Sequence, residues 1–239
     1  MATEAIERAL EEGDGWQIHR ARRLRGEDVE PVAPTGQDEL GAFVGPTGEP
    51  SPGATGLALC HLKLLGLGSS GPAVIAADWL LEVRTPAQAW LDAPAQVPGE
   101  LDTPAAGRVW ATASAACALL ATGRDPGPRA LDLLRGEADQ EGRFTGGAYP
   151  TFAAAGAYWL ATGPKTEMAE WALRWARENA DESWDAETFV SGLIFWLAAG
   201  ISPDHATIEV FMDELRGRDE QDHLEISLRT AELRAHLGT

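Results

Sequence analysis

Lysine is almost missing from this 239-residue chain: of its 19 basic residues only Lys63 and Lys165 are lysines. With 37 acidic side chains the formal charge is −18. A surface this acidic repels phosphate backbones, which argues against sequence-independent nucleic-acid binding, and it disfavours docking on anionic lipid. Cysteine is scarce as well. Cys60 and Cys117 lie inside apolar stretches; two cysteines allow one disulfide but nothing requires it, and buried free thiols in a cytoplasmic protein are expected. The N-terminal MATEAIERALEEGDG has no basic region followed by an apolar core, and no secretory leader is expected. The longest apolar run, residues 190–201, falls short of the roughly 20 residues that a membrane span needs. Phosphate-loop, dinucleotide, zinc-protease and nucleophile-elbow motifs are all missing, so no cofactor is expected. No zinc set is expected either, because Cys60 and His61 are adjacent and point to different helix faces.

What the chain does have is a recurring stop signal. Apolar stretches end at Gly68, Gly123, Gly163, Gly200 and Gly238, which are 55, 40, 37 and 38 residues apart; Pro follows the first four within a few residues. Glycine after a helix supplies a left-handed C-cap, and proline suits the first turn of the next helix. Hydroxyl residues recur in front of the same stretches, at Thr55, Thr103, Thr151, Thr188 and Ser227, and are expected to be N-caps. A two-helix unit repeating every ~40 residues is a helical repeat architecture.

The apolar helices are expected near 55–67, 103–122, 151–162, 188–199 and 224–237. The first four carry almost no charge on any face, which marks them as buried. The helices between them are amphipathic: residues 166–180 set Met168, Trp171 and Trp175 on one stripe, residues 203–216 repeat the arrangement, and 74–83 and 129–136 are shorter versions. An open solenoid wets both of its layers, so an inner layer that is apolar all round argues for a closed ring. The expected fold is all-α: one α/α toroid spanning 1–239, of about five helical hairpins around an apolar inner layer. Two Pro- and Gly-rich connections, 26–53 and 84–102, are long enough to be functional. Both precede an inner helix and so belong on one face of the ring.

The connection at 131–144 (LDLLRGEADQEGRF) places Gln140, Gly142 and Phe144 after an outer helix, and fainter versions are GDGWQ at 13–17, Gln88–Trp90 and ADESW at 180–184. The pattern resembles the Gln–Trp repeat of the squalene–hopene cyclase class of triterpene cyclases, over residues from about 54 to 238. The same toroid serves the β subunits of protein prenyltransferases. The resemblance implies a hydrophobic small-molecule partner, an isoprenoid, in a central cavity, and acid-initiated cyclisation or isomerisation as the reaction. Such cyclases protonate an alkene with the central Asp of a DxDD motif. No DxDD occurs here; the nearest matches are Asp185-Ala186-Glu187-Thr188 and Glu100-Leu101-Asp102-Thr103, each one acid short.

Asp185, Glu187, Asp102 and Glu100 are therefore the candidate acids. Each pair also sits where carboxylates cap a helix and favour its dipole, and both readings stand. The aromatics Trp110, Phe152, Tyr158, Trp159, Phe189 and Trp196 are candidates for substrate binding, because ring faces stabilise cations, or else are core. His61 reads as a core histidine or a proton shuttle. Arg108 pairs with Asp102 or Glu100, or anchors an anionic ligand. The basic run His19–Arg25 is a solvated helical face or a diphosphate site. The competing functional class is a non-catalytic helical-repeat module that docks a protein partner.

Overall fold

Proline and glycine punctuation sets the helices. The computed structural model describes residues 2–30, 32–98, 103–163, 167–181, 183–216, 218 and 223–238. Among them are eleven α-helices and no β-strand. Two N-terminal helices, α1 (Ala2–Glu12) and α2 (Gly15–Leu24), precede the repeat. The apolar helices are α3 (Pro52–Leu64), α5 (Pro104–Ala121), α7 (Ala148–Thr162) and α9 (Ala186–Ala198). They alternate with α4 (Gly71–Glu82), α6 (Pro128–Arg135), α8 (Glu167–Asn179) and α10 (Ala206–Arg216), and α11 (Leu224–Leu237) closes the chain. Of these, α6, α8 and α10 are amphipathic as expected, whereas α4 is not, since it is apolar and leaves Val74 and Ile75 exposed. Pro52, Pro104 and Pro128 each occupy the first helical position. One stop moves from its expected place: Gly66, with φ of 74°, takes the left-handed position after α3, and Gly68 does not.

The helix starts correct the expected caps. Thr103 does cap α5, accepting the Ala106 N–H at 3.1 Å. Ser51 caps α3 and Asp185 caps α9, while α7 and α11 start at Gly147 and His223 without a side-chain cap. Thr55, Thr151, Thr188 and Ser227 fall inside the first turns instead.

The connecting loops explain two of these hydroxyls, Thr55 and Thr151. Residues 38–43, 85–90 and 139–144 make the same tight loop. Its first N–H donates to the fifth residue's carbonyl, at 2.8 Å from Asp38 to Ala42, 3.0 Å from Thr85 to Ala89 and 2.9 Å from Asp139 to Arg143. The fourth residue has positive φ: Gly41 (99°), Gln88 (59°) and Gly142 (93°). The sixth is a buried aromatic, Phe43, Trp90 or Phe144. Each aromatic N–H donates to a threonine Oγ1 on the following apolar helix: Phe43 to Thr55 at 2.9 Å, Trp90 to Thr112 at 3.1 Å and Phe144 to Thr151 at 2.9 Å. A buried N–H without an acceptor is costly, and these hydroxyls supply one where the helix's own carbonyls are already engaged.

The apolar helices pack in chain order, α3 on α5, α5 on α7 and α7 on α9, and α9 returns to α3. Small residues let them approach. A Cβ on Gly56 would meet the Ser114 carbonyl oxygen at 2.6 Å; one turn further on, the free thiols Cys60 and Cys117 are 3.9 Å apart. The N-terminal pair α1 and α2 packs on α11, around Ala9, Ala21 and Leu228.

Candidate functional site

A cleft of about 510 Å³ opens beside the first half of α3. Ala54, Leu57, Ala58 and His61 of α3 form one wall, Trp110 of α5, Glu187 of α9 and Arg229 of α11 another. The two long connections reach it as well, through residues 43–46 and through Gln96 and Pro98. They are tied together at Gln96, which accepts from the Thr47 N–H at 3.4 Å and donates to the Glu49 carbonyl at 3.2 Å. An adjoining hollow of about 250 Å³ shares Phe43, Ala58, His61 and Arg229 and extends to Asp14, Trp16 and Glu225. Trp110 is fully buried, and its indole N–H has no acceptor among the described residues.

Behind the cleft lies a buried charge network. Arg20 of α2 is 1% exposed. Its Nε and one terminal nitrogen donate to the two oxygens of Glu232 at 2.7 and 2.8 Å, and its other terminal nitrogen donates to both oxygens of Glu225 at 2.8 Å. Arg229 Nε donates to Glu225 Oε1 at 2.7 Å, and His61 Nε2 lies 2.8 Å from Glu232 Oε2. Burial alone would raise the Glu232 carboxyl; the Arg20 guanidinium and His61 outweigh it and hold it down at about 2. For Glu225 burial is likewise outweighed, by Arg229 and Arg20, and its carboxyl also falls to about 2. Burial keeps the His61 pKa below its ordinary value despite Glu232.

The expected site residues separate. Asp185 is exposed and serves α9 as its cap, accepting from the Thr188 N–H at 2.8 Å and the Thr188 hydroxyl at 2.7 Å. Glu187 is exposed on the cleft wall. Glu100 and Asp102 lie outside the described residues. Arg108 pairs with Glu137, at 2.6 Å; the acids named for it from the sequence are the same two that lie outside the described residues. His61 is 7% exposed and joins the charge network. In the basic run His19–Arg25, Arg22, Arg23 and Arg25 are exposed, as a solvated face requires, but Arg20 is neither solvated nor free for a diphosphate.

The aromatics divide as well. Trp110 reaches the cleft. Phe152 is fully buried, with Trp196, Phe211 and Trp184 at ring-centroid distances of 5.2 to 5.4 Å. Phe189 joins the same cluster, 4.9 Å from Phe211. Tyr158 donates to the Leu131 carbonyl at 2.6 Å, and burial pushes its hydroxyl up to about 12. Trp159 is half-buried and packs edge-on against His205.

One carboxyl escaped the sequence reading. Asp92 accepts from the Ser51 hydroxyl and the Gly53 N–H, both at 2.9 Å, at the start of α3. Burial raises it to about 6, against the pull of those two bonds. No local signal marked it, because its partners are some 40 residues away in sequence.

Among the described residues no cluster of three or more His, Cys, Asp or Glu side chains is arranged to hold a metal ion. None of the described helices is long and apolar enough to cross a membrane. No protein-family model matches the chain, and no curated protein matches it in sequence.

Proposed function

We propose that the chain is a single α/α toroid that binds an apolar, isoprenoid-like small molecule in the cleft beside α3. The observation that carries the reading is the cleft itself: about 510 Å³, inside the range of small-molecule sites, walled by Leu57, Ala58, Phe43 and Trp110, with His61, Gln96, Glu187 and Arg229 as its polar groups. Closure of the ring is supported by α9 packing back on α3. A cytoplasmic home fits the two free thiols, which lie 3.9 Å apart.

The geometry supports binding better than acid catalysis. Burial that would turn a carboxyl into a proton donor near neutral pH falls on Asp92, which bonds to the start of α3 and lies outside the cleft lining. Asp185 is committed to its helix cap. Docking of a protein partner has one observation in its favour: Leu40 and Ile75 are 72% and 48% exposed and lie close together, because Gly41 packs on Ile75.

Tryptophan fluorescence titrated with farnesol tests the binding reading. Saturable quenching is expected in the parent chain and its loss in Ala58→Phe, which fills the cleft, with unchanged circular dichroism. No response in the parent, or undiminished binding in Ala58→Phe, refutes the reading.

A further inference from the structure

We propose that the ligand of this cleft carries a positive charge: an apolar body ending in an ammonium group. This rests on the binding reading above and adds the chemistry of the polar end. The charged and titratable groups around the cleft and its adjoining hollow come from four helices: Asp14 at the start of α2 with Arg20 behind it, His61 on α3, Glu187 on α9, and Glu225, Arg229 and Glu232 on α11. Four carboxylates thus face two guanidiniums. Burial keeps His61 on the neutral side at neutral pH, so the surroundings hold two negative charges in excess.

Arg20 is a poor anchor for an anion, and the Arg229 charge is offset by Glu225. Arg20 is enclosed by Glu232 and Glu225, and Arg229 is bound to Glu225. Three of the carboxylates are equally committed. Glu225 and Glu232 hold those guanidiniums, and Asp14 accepts the Gln17 N–H and the Thr35 hydroxyl, both at 2.8 Å. Glu187 is different. It has no hydrogen bond or ion pair among the described residues, and α9 does not need it, since Asp185 already caps that helix. It is the unmatched charge on the wall. Phe43, 8% exposed, lies on the same cleft, whereas the Trp110 ring is fully buried against Tyr149 and Phe195. The chain as a whole, at −18, gathers cations and repels anions.

Three ligands with one tail and different heads test the proposal: farnesylamine, farnesol and farnesoic acid, each titrated by tryptophan fluorescence at neutral pH below its aggregation threshold. An ion pair at a partly open wall is expected to favour the amine over the alcohol by about threefold. The acid should bind weakest, and added salt should shrink the amine preference. Glu187→Gln should bring the amine-to-alcohol ratio close to one. An alcohol that binds as tightly as the amine, an acid that binds tightest, or an amine preference that survives Glu187→Gln overturns the charge assignment and leaves the binding reading intact. Failure of all three heads to bind, or binding that persists in Ala58→Phe, overturns both.

Discussion

Replacing Glu232 by Gln removes one charge from the buried network and barely changes its volume. In the parent chain Arg20 and Arg229 are balanced by Glu225 and Glu232, and His61 is neutral. The variant leaves one positive charge in excess around a guanidinium that is 1% exposed. It also replaces one of the two Glu232 oxygens that Arg20 uses, at 2.7 and 2.8 Å, by an amide nitrogen that cannot accept. Breaking a buried pair by removing one partner destabilises a protein by roughly 3–5 kcal/mol. Glu225 retains its own bonds to Arg20, so the lower half of that range, about 3 kcal/mol, is expected. That is a large share of the roughly 5–15 kcal/mol that holds a domain together.

Urea unfolding followed by circular dichroism reads this directly, with and without added salt. The loss should persist in salt, because a pair this buried is poorly screened. A double variant, Arg20→Met with Glu232→Met, should be more stable than the sum of the two single losses by about 1–3 kcal/mol, since it removes both charges together. A single-variant loss below ~1 kcal/mol is the size of a surface pair. That result, or strict additivity in the double variant, would refute the buried-network argument.

Acid should act on this protein with two signs. The depressed carboxyls of Glu225 and Glu232, at about 2, contribute stability that is complete above the unfolded value near 4.3 and lost as pH falls towards 2. His61 is also lowered, so the unfolded chain takes up its proton first and stability declines as pH drops below about 6.5. Asp92 is raised to about 6, so the folded state binds its proton more tightly and gains stability as pH falls from about 6 towards 4. Melting temperature against pH should therefore decline more steeply between 6 and 4 in Asp92→Asn than in the parent; superimposable profiles would refute the raised carboxyl. Gly56→Ala should destabilise by about 1–3 kcal/mol despite alanine's helix preference, because the new Cβ meets the Ser114 backbone. At Gly71, where nothing lies within 4 Å, the same change should be neutral or mildly stabilising in the same denaturation assay. Thr151→Val strands the buried Phe144 N–H and should lose about 1–3 kcal/mol, measured by the same unfolding curves.

Most of the helices were legible because their punctuation is local. Glycine stops and proline starts act within a turn, and even the misplaced stop, Gly66 for Gly68, lies two residues away. The loops were half legible. The pattern shared by 38–43 and 139–144 is Asp-x-x-Gly-x-Phe, but Glu39 stands where the second loop has Gln140, so the two do not match on the glutamine. At 85–90 Gln88 stands in glycine's place with φ of 59°, where its side chain accepts the Arg129 N–H at 3.0 Å. The charge network was not legible in the basic run itself, since Arg20 and Glu232 are 212 residues apart. The signal lay at the other end: Glu232 sits between Ala231 and Leu233, both buried, on a helix face turned inward. A carboxylate on such a face needs a cation from elsewhere.

The same small residues that build the inner layer bear on where a ligand fits. At Gly56 the backbone of α5 stands where a side chain would be, at Gly156 the Cys117 sulfur is 2.7 Å from a would-be Cβ, and at Gly192 Phe211 and Phe152 are 2.8 and 3.2 Å from one. Helices this close fill the space between them with one another's side chains, which is why Phe152, Phe189 and Trp196 are core here and not walls of an opening. Room for a ligand is found instead beside α3, where the two long connections line a cleft together with His61, Trp110 and Glu187. That end is also where the helix starts bring polar groups: Asp185 and Glu187 at α9, Glu225 and Arg229 at α11, Asp14 at α2. Apolar shafts packed without room and polar starts gathered around a cleft follow from one arrangement, in which the chain reaches α3, α5 and α7 through tight aromatic loops.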